Sequence, residues 1–235
     1  MLKASGDRST RRVNFWQIIA LWLIAVATSF LFDQPIACRV YSSGLHLTLK
    51  FSPVAHLIKF VGTYYLTLAA GAILLVWHRS HVRAALLLSV SGIFAGLFYQ
   101  VGKWILGRQR PIFDHRVFNT RPFQFKFFRG GLHGLLISQP NLSFPSGHAC
   151  IAFATAAALT ICLPRWAPLF YLLALAVAAE RVLEGVHYLS DVTAGAGLGV
   201  LAALLTARVL QSLSLPVTNS DQRRRNIHVQ SNNAG

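Results

Sequence analysis

The chain alternates between long apolar runs and short polar links. Six runs stand out, at residues 14–32, 58–77, 84–102, 148–163, 167–183 and 192–212. A helix needs about 20 mostly apolar residues to cross a bilayer, and these runs approach that length. The fourth and fifth are short and need the neighbouring turns, Ser143–Gly147 and Glu184, to reach across. The pattern predicts an all-α integral membrane protein with six transmembrane helices in one domain, residues 1–213, followed by a disordered polar tail, 214–235. No small-residue cleavage site follows the first run, so it reads as a span behind a basic head (Lys3, Arg8, Arg11 and Arg12), not as a removable signal.

Composition narrows the picture. Hydrophobic residues make up 54% of the 235 and charged residues 12%, against about 25% charged in soluble domains. A water-soluble globule and a disordered chain are both excluded. A net charge of +15 would suggest nucleic acid in a soluble protein. Here the bases lie between apolar runs, which points to anionic lipid and phosphate and away from nucleic acid. Cys38, Cys150 and Cys162 are too few and too scattered for a disulfide framework or a zinc site.

Six spans place both termini on one side, and the basic head with Arg223-Arg224-Arg225 favours the cytoplasm. The links 78–83 and 164–166 then face inward, and 33–57, 103–147 and 184–191 outward. Charge does not decide this alone: 11 of the 22 Lys and Arg residues fall on each side, and seven outer ones lie between Lys103 and Arg129. Phosphate chemistry on that face accounts for the excess. Gly195 and Gly199 in the last run have the small-xxx-small spacing of closely packed membrane helices, and no strand precedes them as a nucleotide-binding loop would require.

Three polar clusters fall on the proposed outer side, and ionisable groups there are costly enough to suggest function. Lys103 and Arg110-Pro111 leave the third span; a continued helix would put Lys103 and Arg110 on one side, with Pro111 as its stop. They fit oxyanion binding or a basic collar at a span end equally well. Phe144-Pro145-Ser146-Gly147-His148 opens the fourth span. Its first-turn amides and the helix dipole suit an anion, and His148 suits proton exchange; a plain helix cap is the simpler reading. Arg181, His187 and Asp191 join the last two spans. The i,i+4 spacing lets Asp191 orient His187, or form an ordinary interfacial ion pair.

Taken together, Lys-x6-Arg-Pro, Pro-Ser-Gly-His and Arg-x5-His-x3-Asp resemble the signature of the type 2 phosphatidic acid phosphatase superfamily, the lipid phosphate phosphatases, in order, spacing and topology. The resemblance covers residues 103–191 by motif and most of the chain by its six-span plan. It implies an active site at the outer membrane–water interface. It implies His187 as a nucleophile forming a phosphohistidine, Asp191 as its orienting partner, and His148 as general acid and then base. Lys103, Arg110, Arg181, Ser146 and Gly147 would bind the phosphate oxygens. No cofactor is implied. With only seven acidic residues in the chain, no carboxylate cluster suited to magnesium is expected, and the activity should be metal-independent.

Two positions depart from the family pattern. Glu180 stands where a serine usually precedes the arginine, and Leu189 where bacterial members often carry proline. Leu189 alters a turn. Glu180 sets a carboxylate beside a phosphate-binding arginine, or else points away to another base. The segment 112–143 interleaves phenylalanines with Arg121, Lys126 and Arg129, which suits a stretch lying at the bilayer surface. His115 and His133 within it have no evident partner. Segment 33–57, with its alternating His46-Leu-Thr-Leu-Lys-Phe51, is expected to cover the outer face.

The expected protein is a lipid phosphatase of a bacterial inner membrane with a periplasmic active site. It would act on undecaprenyl diphosphate, phosphatidylglycerol phosphate, phosphatidic acid or lipid A, with the loop bases favouring a strongly anionic head group. A lipid phosphotransferase on the same site is the nearest alternative. A non-enzymatic transporter would need charges and broken helices at mid-membrane, whereas these charges gather at span ends.

Overall fold

The structure is a computed structural model, and it describes residues 15–77, 82–111, 125–128 and 141–213. The basic head, the 78–81 link, most of the segment 112–140 with His115 and His133, and the tail lie outside the described residues. The described elements are helices: α1 (Phe15–Ser42), α2 (Leu45–Lys50), α3 (Pro53–Val61), α4 (Tyr64–Trp77), α5 (Val82–Leu106), α6 (Gly147–Cys162), a 3-10 turn at Pro164–Trp166, α7 (Ala167–Leu183) and α8 (Leu189–Ser212). Four of these or their extensions, α1, α5, the 3-10 turn with α7, and α8, are long and apolar enough to cross a membrane. The α3–α4 pair makes a fifth if its two parts count as one span. Helix α6, at 16 residues, is apolar but shorter than a full crossing.

Helix α6 is the centre of the bundle and packs on α5, α7 and α8. Its core face is small: Ala149, Cys150, Ala154 and Ala158 are fully buried, opposite Ala202 and Ala203 of α8. Without water to drive association, membrane helices gain from close van der Waals contact, which small side chains allow. The two spaced glycines confirm this. A Cβ on Gly195 would stand 2.5 Å from the Ser146 carbonyl oxygen, and one on Gly199 2.1 Å from that of Cys150. Gly197, between them, takes the Trp22 indole of α1 instead, and Trp22 Nε1 donates to the Thr193 carbonyl at 3.0 Å. The outside is apolar, as a bilayer requires: Leu21, Leu31, Val76 and Leu172 are all more than 60% exposed.

Three boundaries differ from the sequence expectation. The first helix does not end near residue 32. It continues through Asp33 and Pro35 to Ser42, because Asp33 is buried and ion-paired inside the bundle and marks no exit to water. The second run is broken at Gly62–Thr63, with a 59° bend between α3 and α4. Gly62 has no room for a side chain, since a Cβ there would meet Val177 Cγ1 at 2.6 Å and the His148 carbonyl at 3.2 Å. The third helix stops at Leu106, not at Pro111. Gly107 adopts φ +50°, a left-handed residue that closes a helix C-terminus, and its N–H donates to the Lys103 carbonyl at 2.9 Å. The alternating stretch at 45–50 forms the short helix α2 and touches α1, α3 and α7.

Candidate active site

The three polar clusters meet at one end of the bundle. Beyond Gly107 the chain runs extended. The Arg110 N–H donates to the Asn141 carbonyl at 3.1 Å, and the Ser143 N–H to that of Arg108 at 2.7 Å. This short pairing replaces the continued helix and lays Arg110 beside the first turn of α6. Arg110 Nε also donates to the Leu142 carbonyl at 3.3 Å. Lys103 reaches the same space from the last turn of α5, its Nζ 5.5 Å from the centre of the Tyr99 ring. The two cations share a cavity, as the sequence implied, by a turn and not by helical periodicity.

That cavity has a volume of about 480 Å³ and is lined by Lys103, Arg110, Gly147, His148 and His187, with Thr63, Tyr65, Tyr99 and Gln100 on the wall formed by the α3–α4 break and α5. Ser146 caps α6, its hydroxyl accepting from the Ala149 N–H. Its own N–H donates to the Asp191 carbonyl at 2.9 Å. The Ser146 amide therefore has a partner, and the first-turn amides after it are the ones with no partner inside the helix. Gly147 lies flat against Tyr99, whose ring atoms would stand 3.2 Å from any added Cβ.

His187 sits in the turn between α7 and α8 and is 3% exposed. Its Nδ1 is 3.4 Å from Asp191 Oδ2. That contact is long for a hydrogen bond. Burial holds the imidazole down to a pKa of about 4, against the opposing pull of the Asp191 carboxylate. The ring is thus neutral. Burial first, and the Arg181 guanidinium next, also lower the pKa of Arg110.

Arg181 is placed differently. It is 4% exposed and is gripped by Glu180, which meets both Nε and Nη2, and by Glu184. Glu180 therefore neither faces solvent nor finds a distant base; it pairs with the arginine beside it. Arg181 stands behind the cavity wall formed by Arg110 and His148, whose electrostatics it influences.

The sequence reading passed over Asp33, Arg108 and Ser190. Arg108 is 1% exposed and lies between two carboxylates, its Nη2 2.8 Å from Asp33 Oδ2 and its Nη1 2.8 Å from Asp191 Oδ1. Nη1 also donates to Ser190 Oγ at 2.7 Å. The Tyr188 ring stacks on the guanidinium at 3.8 Å. Asp33 was the one signal available: a lone acid at the end of a long apolar run is expensive unless paired. Among the described residues no three His, Cys, Asp or Glu side chains converge as a metal site would need.

Residues 84–214 match the PAP2 superfamily model. The chain is 32% identical to a lipid A 1-phosphatase of Rhizobium johnstonii over 90% of each protein. It is 27% identical to an undecaprenyl-diphosphatase of Sulfolobus acidocaldarius, over 85% of this chain and 92% of that one. The crystal structure of Aquifex aeolicus LpxE superposes with a TM-score of 0.48 at 18% identity, covering 71% of this chain and 93% of the other. A helical bundle with an apolar exterior, the three motifs meeting at one end, and a family match over more than half the chain lead to one assignment: this multi-pass membrane protein belongs to the PAP2 superfamily of membrane lipid phosphatases.

Proposed function

We propose that the protein removes a phosphate from a lipid head group through a phosphohistidine on His187, without a metal. The observation that supports this best is the convergence on one cavity of a buried neutral imidazole, a second histidine and two cations. His187 Nε2 attacks phosphorus in line, and Asp191 stabilises the imidazolium that forms. His148, across the cavity, donates a proton to the leaving oxygen and then takes one from the water that hydrolyses the phosphohistidine. Lys103, Arg110 and the first-turn amides of α6 hold the equatorial oxygens, with Arg181 reinforcing them from behind. Phosphoryl transfer depends chiefly on positioning and charge stabilisation, which fixed cations supply.

The proposed setting is a six-span protein of the inner membrane with this cavity on the periplasmic face, where α6 completes its crossing with the turns at its ends. The proposed substrate class is a strongly anionic lipid phosphate. Lipid A 1-phosphate comes first, since the relative at 32% identity is a lipid A 1-phosphatase, and undecaprenyl diphosphate second. The test is purified protein in detergent with excess EDTA, offered lipid A, undecaprenyl diphosphate, phosphatidylglycerol phosphate and phosphatidic acid. Phosphate release is expected, fastest with one of the first two. With p-nitrophenyl phosphate, His148→Ala should release a burst of nitrophenol and stall with phosphate on His187, visible by intact-protein mass spectrometry. The reason is that a nitrophenolate leaves without a proton but the water step still needs its base. No turnover of any lipid, or loss on chelation restored by magnesium, would overturn the reading.

A further inference from the structure

The buried cluster behind His187 is built more elaborately than a single orienting carboxylate requires. Asp191 Oδ2 faces His187 Nδ1 and accepts the Tyr188 N–H at 2.8 Å, while Oδ1 is held by Arg108. Arg108 is in turn fixed from α1: Asp33 Oδ2 takes Nη2, and Asp33 Oδ1 accepts the Ser190 N–H at 2.8 Å. The Ser190 hydroxyl bridges to Asp33 Oδ2 as well. Tyr188 covers one face of the guanidinium, and Phe30 and Phe125 close in at 5.4 and 5.6 Å. Arg108, Asp33, Ser190 and Asp191 are each 1% exposed or less. Among the described residues, none of Asp33, Arg108 and Ser190 lines the cavity, and the cluster reaches it through Asp191 and His187.

We propose that Arg108 and Asp33 are positioning residues for the reaction, a fork that sets the Asp191 carboxylate on His187 and holds it there with a fixed charge. This rests on His187 being the nucleophile. A planar guanidinium bridges two carboxylates in one geometry, which an ammonium does not. With both carboxylates ionised, Asp33, Arg108 and Asp191 together carry one net negative charge, matched to the positive charge the imidazole gains on attack. Asp33 also ties the first turn of α8 to α1, so a helix remote in sequence sets the nucleophile's orientation.

Charge gives the proposal a signature that loosened packing does not have. The groups facing the His187–Asp191 pair are Arg108, Lys103 and Arg110 from α5 and its extension, His148 from α6 and Tyr188 from the same turn. Asp33 of α1 lies behind Arg108, and Arg181 with Glu180 of α7 and Glu184 just past its end behind Arg110. Removing the Arg108 charge raises the proton affinity of the pair, wherever within it the proton resides. Removing the Asp33 charge does the opposite.

The experiment uses the full chain in detergent with whichever of the four lipids is turned over fastest. Arg108→Gln is expected to lower kcat by about 10²-fold or more, with little change in KM, and to move the acid limb of kcat/KM up by about one to two pH units. Asp33→Asn should lower kcat without raising that limb. Arg108→Lys should restore the limb to its wild-type position but recover the rate only in part. Should Arg108→Gln fail to fold, Arg108→Lys and Asp33→Asn decide: at least tenfold losses in kcat at near-normal KM support the fork, and wild-type kcat in both overturns it. Losses with an unmoved limb in a folded Arg108→Gln would also overturn it, leaving a packing role only. His187→Asn is the reference. If it keeps turnover, the nucleophile assignment falls and the fork with it; if it is dead while the Arg108 and Asp33 variants are normal, the fork alone falls.

Discussion

Glu180 shows how one residue changes the work of its neighbour. In this chain the guanidinium of Arg181 is occupied on two edges, by Glu180 and by Glu184. A phosphate drawn toward Arg181 must compete with two buried carboxylates. Glu180→Ser removes one of them and leaves Glu184 to keep the arginine paired. Removing one buried carboxylate strengthens the positive field that Arg181 sets behind the cavity, so KM for an anionic lipid phosphate should fall, read from Michaelis–Menten curves on wild type and variant; an unchanged KM would show that Arg181 does not act on the phosphate. His187 carries a second prediction at this scale. Its folded pKa of about 4 lies below the ordinary 6.5, so between those values the unfolded chain binds the extra proton and the folded one does not. Stability should therefore rise with pH across that window. The midpoint of thermal unfolding in detergent should climb from pH 4 to 6.5, and His187→Asn should flatten the climb.

Among the elements, the α6–α8 contact sets the site. Helix α6 presents its first turn and His148, and α8 opens with Asp191; the Ser146 N–H to the Asp191 carbonyl joins the two starts directly. The glycines of α8 bring the axes close enough for that bond. Gly199→Ala would drive a methyl into the Cys150 carbonyl and the Ala154 amide, and overpacking of this kind costs about 1–3 kcal/mol. Gly96→Ala on α5 meets nothing within 4 Å, and in a helix interior alanine is favoured over glycine by up to about 1 kcal/mol. Thermal or denaturant unfolding in one detergent should place Gly199→Ala below the wild type and Gly96→Ala at or above it. Equal stabilities would mean that the helices separate freely at this point.

For the whole molecule, orientation in the bilayer is the quantity a reporter fusion reads. The even split of basic residues gives no answer by itself. The structure gathers Lys103, Arg108, Arg110, His148, Arg181 and His187 at one end of the bundle. Bases at that end are occupied with one another's counter-ions and the cavity, and so are weak guides to topology. A reporter fused after residue 212 should behave as cytoplasmic and one inserted near residue 130 as external. The reverse result would place the cavity on the cytoplasmic side.

Much of this was legible in the chain. The apolar runs, the motifs and their order required only local chemistry, because a span is defined by consecutive residues and a motif by fixed spacing. The small-residue spacing of Gly195 and Gly199 likewise announced a close helix contact, since one face of one helix carries it. The ends of helices were less legible. Asp33 looked like the edge of the membrane because a charge in sequence has no visible partner, and Gly107 looked like mid-helix because its left-handed φ depends on what the chain does next. The pairing of Arg108 with Asp33 and with Asp191 joins residues 75 and 83 apart in sequence. No periodicity reports such a pairing. Only the packing of α1 against the start of α8 brings the three charges out of lipid and water into one buried cluster, where they and the Ser190 and Tyr188 groups around them compensate for the solvent they have lost.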